Sequence, residues 1–145
     1  MVARTEAGYR DELRPRTWAD PSYQAYRILH FGFAVLPTIA GIDKFTQLLH
    51  DWTPYLSPAF ARISPFSVQS TMYLVGIIEI VAGFLVALVP RVGAYIVAAW
   101  LALIILNLLL LGGAYDVALR DLGLLLGALA LGRLAQRHRG PEAIH

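Results

Sequence analysis

From Tyr26 to Leu134 the sequence is divided into four apolar stretches by short polar breaks, and a chain patterned this way has few folds open to it. The stretches cover about residues 26–48, 70–89, 92–111 and 117–134. Each is near the roughly 17–25 residues an α-helix needs to cross a hydrocarbon layer about 30 Å thick. Backbone N–H and C=O groups find no partner in lipid, so spans of this length are helical. The expected fold is all-α, an integral membrane four-helix bundle. A polar segment at about 1–24 precedes a transmembrane domain at about 25–135, and a tail at 136–145 follows it.

Composition agrees. Of 145 residues, 57% are hydrophobic and only 15% charged, against the roughly 25% charged residues usual in soluble domains. A soluble domain this small exposes too much of its area to hide such a content, and the mean hydropathy is +0.57. The absence of cysteine excludes disulfides, thiol chemistry and cysteine-ligated iron–sulfur clusters. The opening MVARTEAGYRDELRPRTWADPS has no apolar core, so no removable signal peptide is expected. The first apolar helix then serves as its own insertion signal.

Pro90-Arg91 joins the second and third stretches, and GGAYD at 112–116 joins the third and fourth, so both connections predict tight hairpins. A longer loop at about 49–69 carries Pro54, Pro58 and Pro65 with Trp52, Tyr55, Phe60 and Phe66. Its aromatics suit a segment lying in the headgroup region; a lid over a site between the helices is the alternative. Arg4, Arg10, Arg14, Arg16, Arg27, Arg91, Arg133, Arg137 and Arg139 fall on the side of the termini. Lys44, Arg62 and Arg120 fall on the other. The positive-inside bias predicts cytoplasmic termini. Anionic headgroups account for the basic ends without nucleic acid.

Among the polar residues, Glu79 is the most informative. It lies about nine residues into the second stretch, roughly 13 Å deep at 1.5 Å per residue. A carboxylate at that depth needs a proton, a cation or a cavity. Its two readings are a ligand or proton site and an interhelical tie. Lys44 and Asp43 at the end of the first stretch, Asn107 in the third, and Arg120 and Asp121 in the fourth bring polar groups to the same half. Their convergence predicts a buried polar network or a small-ligand pocket. Snorkelling is the plain account of Lys44 or Arg120 taken singly. His30, one turn into the first helix, is expected to be hydrogen-bonded. His30, His50 and His138 are placed at different levels, which disfavours a bis-histidine haem. No catalytic constellation and no metal-ligand set is visible. Pro37 predicts a kink beside Gly32 and Gly41. Gly123 and Gly127 give a GxxxG spacing for close helix packing.

The run LHFGFAVLPTIAGIDKF after Arg27, GIIEIVAGFLVALVP around Glu79, and ALRDLGLLLGALAL in the last stretch together resemble the DoxX-like family of small four-helix membrane proteins. That family is related more distantly to SURF-type cargo receptors. The resemblance covers about residues 25–135. It implies a bacterial inner membrane, and some members are similar to the membrane subunit of thiosulfate:quinone oxidoreductase. The residues it singles out here are Arg27, Lys44, Glu79, Arg120 and Asp121. The expected function is a membrane subunit of a quinone-linked redox complex, with no covalently bound cofactor. Quinone is the expected ligand; lipids, redox subunits or further copies of the chain are the expected partners. A purely structural assembly subunit, and a small carrier or channel, are the alternatives.

Overall fold

The computed structural model describes residues 18–138. Arg4, Arg10, Arg14, Arg16 and Arg139, with the rest of 1–17 and 139–145, lie outside them. Helix α1 spans Pro21–Thr46, α2 Pro58–Ile63, α3 Val68–Leu88, α4 Pro90–Leu111 and α5 Tyr115–Arg137. A 3-10 turn at Thr53–Tyr55 precedes α2. No strand occurs among the described residues.

The helix ends follow local chemistry more than hydropathy. Asp20 accepts from the N–H of Ser22 at 3.0 Å and Pro21 follows it, so α1 starts five residues before the apolar run. It stops at Thr46, short of residue 48, because Gln47 turns into the left-handed region (φ 51°) and bonds back to the Asp43 carbonyl. Ser57 and Ser67 cap α2 and α3 in the same manner, accepting from Phe60 and Ser70. Only Val89 separates α3 from α4. Gly112 and Gly113, both at positive φ, turn the chain from α4 into α5.

Helices α1, α3 and α4 are long and apolar enough to cross a membrane. Only 11%, 33% and 28% of the residues in their spans are buried inside the protein, so most of their apolar side chains face outward. Ile28, Phe31 and Leu88 are each more than 70% exposed, a surface that calls for apolar surroundings. Helix α5 has 23 residues but carries Asp116, Arg120, Asp121, Arg133 and Arg137.

The long helices pack chiefly as two pairs, α1 with α3 and α4 with α5. Glycines set the first pairing. A methyl group on Gly41 would meet the Gly76 carbonyl at 2.5 Å, and one on Gly83 the Ala34 carbonyl at 2.8 Å. The pairs converge at the end bearing the termini, where Gly93 abuts Val86, and Gly132 lies against the ring of Tyr95. The main core fills this end, with Val86, Ala94, Ala128 and Leu131 wholly enclosed. A smaller cluster of Leu108, Ala114 and Ala118 joins α4 to α5 at the loop end. Helix α1 runs unbroken through Pro37, and the Thr38 hydroxyl donates to the Ala34 carbonyl at 2.8 Å.

Pro90 has no N–H, so the Val86 carbonyl, four residues earlier, lacks its helical donor. His30 Nε2 lies 2.9 Å from that oxygen and 3.2 Å from the Ala87 oxygen. Both oxygens can only accept, so Nε2 carries the hydrogen. The Tyr26 ring stacks on His30, with centroids 5.4 Å apart, and on His138, at 5.5 Å. His138 Nε2 lies 2.8 Å from the Ser22 hydroxyl, so this end of α5 is held against the first turns of α1.

Replacing Gly41 by Leu is expected to lower stability by about 1–3 kcal/mol through overpacking. Replacing His30 by Ala is expected to cost about 1 kcal/mol. Thermal melts in detergent check both, with Gly32→Ala, which meets open space, as the near-silent control.

Candidate functional site

Lys44 in the last turn of α1 and Glu79 near the middle of α3 face one another across the close helix contact. Each sits three residues beyond a glycine of that contact, Gly41 and Gly76, and the short separation lets the side chains meet. Lys44 Nζ donates to Glu79 Oε2 at 2.6 Å, with the two side chains 5% and 11% exposed. The face of Trp52 covers the ammonium, with Nζ 4.2 Å from the ring centroid.

Two further predicted residues hold the loop. Asp43 accepts from the backbone N–H of Leu49 at 2.8 Å and from the Trp52 indole at 2.7 Å. Asn107 on α4 accepts from the Ser57 N–H at 2.9 Å and donates to the Tyr55 carbonyl at 2.7 Å. The Ser64 and Thr71 hydroxyls, 2.7 Å apart, tie the loop to α3. Asp51 takes the hydroxyl and N–H of Thr53 at the start of the 3-10 turn. Those bonds, the hydroxyl first, hold the Asp51 carboxyl below its ordinary range. Their contribution is present at neutral pH and fades as pH falls through that lowered value.

The loop thus closes one end of a cavity of about 760 Å³ lying between the two helix pairs. That volume is typical of small-molecule sites, roughly 300–1,000 Å³. Its wall is mainly Leu, Ile, Val and aromatic side chains, into which Lys44, Glu79, Asn107, Arg120 and Asp121 are set. Arg120 is exposed and Asp121 half-buried, both on the second turn of α5. The structure therefore places five predicted residues at one cavity, with Asp43 just behind it. Arg27 and His30 are not there. Arg27 lies at the opposite end, 6.0 Å above the Trp18 ring, and His30 serves the end of α3.

Two tryptophans belong to the site without having been singled out. Trp52 bridges Asp43 and Lys44. Trp100 on α4 lines the cavity. Its indole N–H is buried near the Glu79 carboxylate, without a partner at hydrogen-bonding distance. The WTPY segment hinted at Trp52, but the sequence offers nothing to separate Trp100 from a lipid-facing indole. Among the described residues, no three His, Asp or Glu side chains converge as a metal site. No family model, curated protein or solved structure matches this chain.

Breaking a buried pair on one side strands a charge, at a cost of about 3–5 kcal/mol. Lys44→Met is therefore expected to destabilise far more than Lys44→Met combined with Glu79→Leu, in a denaturant or detergent unfolding titration. Asn107→Ala is expected to speed amide exchange at Ser57 by roughly tenfold, the loss of about 1.4 kcal/mol of local protection, with the α1–α3 contact unaffected.

Proposed function

We propose that this chain is a small subunit of a bacterial inner membrane that holds a quinone-type ring in the cavity beneath its loop and docks beside a redox partner. The observation that carries the reading is the Lys44–Glu79 pair set in the wall of a largely apolar cavity. A quinone needs apolar enclosure for its ring and a few polar groups at its carbonyl oxygens. Lys44 and the Trp100 indole N–H fit as donors there, and Glu79 beside them is a group able to exchange a proton. The bound ring supplies the electron-carrying chemistry; the chain's residues hold it, orient it and exclude water. Asn107 and Asp43 act through the loop.

In this reading α5 is the fourth crossing, completing a four-helix bundle with both termini cytoplasmic. Its charges gather near its ends and toward the cavity, which supports a span despite its lower apolarity. The distribution of arginines and the resemblance to the DoxX-like family support the same arrangement. A second reading has a specific observation behind it. The glycine contact beside Lys44 and Glu79 suits a pair that only ties α1 to α3 in a structural subunit.

Titration of the protein in nanodiscs with a short-chain benzoquinone, followed by tryptophan fluorescence, separates the two readings. Saturable quenching is expected, and Lys44→Met combined with Glu79→Leu, which strands no charge, should weaken it at least tenfold while shifting the melt far less than Lys44→Met alone. Quenching that never saturates would leave only the structural tie. Topology is read independently in this cysteine-free chain. Asp116→Cys is expected to react with an impermeant maleimide on intact cells, and Gln136→Cys only after permeabilisation.

A further inference from the structure

The cavity has two flanks, one between α3 and α4 and one between α1 and α5, and the structure treats them differently. On the α3–α4 flank the short helix α2 leans on α4, Ser64 bonds Thr71 of α3, and Phe60 and Ile63 line the cavity, with Leu74 and Leu103 further along 45% and 41% exposed. Among the described residues, no short helix bridges the α1–α5 flank in this way. There the helices touch where a methyl group on Gly127 would meet the Phe33 ring at 3.2 Å. One turn nearer the loop, on the same face of α5, a methyl group on Gly123 would meet nothing within 4 Å. The two helices therefore part above the Phe33–Gly127 contact. The cavity-lining Leu36 and Leu124, on either side of this gap, are 60% and 39% exposed. Pro37 lines the cavity on the α1 side, and Arg120 stands on the α5 side nearer the loop.

Resting on the reading of this cavity as a ring site within a membrane, we propose that its ligand is a single-chain amphiphile loaded sideways from the bilayer. The polar ring meets Lys44, Glu79 and Trp100, and the apolar chain leaves between α1 and α5 over Gly123. The polarity of the wall fits such a molecule. Lys44 and Glu79 stand on the loop side of the Phe33–Gly127 contact, while the gap itself is bordered by Leu36, Pro37 and Leu124. The loop pinned by Asp43 and Asn107 lies over the remaining end.

The test uses the full chain in nanodiscs with two probes, tetramethylbenzoquinone without a chain and a decyl-benzoquinone with a diazirine at the chain end. Gly123→Phe, placed in the open space, is expected to weaken the tailed probe at least tenfold and leave the chainless one within about twofold. Equal binding of both probes to wild type and variant overturns the portal, as does loss of both with an unchanged melt. Photolabelling of the wild-type chain asks the same question without a variant. Labels at Leu36, Leu124 or their neighbours support the proposal, and labels confined to Leu74, Leu103 or the loop overturn it. Saturable binding of neither probe to wild type removes the ring-site reading itself, and this inference with it.

Discussion

A carboxylate and an ammonium held 2.6 Å apart in apolar surroundings persist only if the protein encloses them, since each charge alone loses several kcal/mol on leaving water. Much of the loop half of this molecule follows from that demand. Gly41 and Gly76 bring α1 and α3 close enough for Lys44 to reach Glu79. Trp52 then covers the ammonium with an aromatic face, and Asp43 fixes Trp52 through its indole N–H. The pair, the indole and the second carboxylate form one chain of contacts from mid-helix to the loop.

The polar residues of this half divide into two kinds of work. Asp43 and Asn107 spend their hydrogen-bonding capacity on the loop, Asp43 on the Leu49 N–H and the Trp52 indole and Asn107 on backbone alone, and neither has much left for a ligand. Lys44, Glu79 and the Trp100 indole face the cavity wall. The terminal half is built otherwise, from alanine, valine and leucine around Tyr26, and it holds the two helix pairs together while the loop half stays hollow.

Much of this was legible in the sequence for a definite reason. Apolar runs and their breaks mark the long helices because each run is set by the thickness of the medium around it. Glu79 stood out because an ionisable group in such a run has few excuses. The helix ends were less legible: Asp20, Gln47 and Arg137 are polar residues that continue or end a helix through hydrogen bonds invisible to hydropathy. Gly123 and Gly127 looked equivalent by spacing, yet one is packed against Phe33 and the other faces open space. A spacing motif carries no information about where two helices diverge. Asp43 and Asn107 were identified as polar, but their role as loop anchors needed the loop's path.

The repair at the end of α3 also ties a local turn to a distant helix. Pro90 makes the turn between α3 and α4 short, and in doing so leaves the Val86 carbonyl without a donor from its own helix. The missing hydrogen comes from His30, a residue synthesised more than fifty positions earlier. The hairpin of α3 and α4 thus draws one of its hydrogen bonds from α1. One hydrogen bond of the α3–α4 turn is therefore a tertiary contact, and a change at His30 acts on a turn more than fifty positions away in the chain.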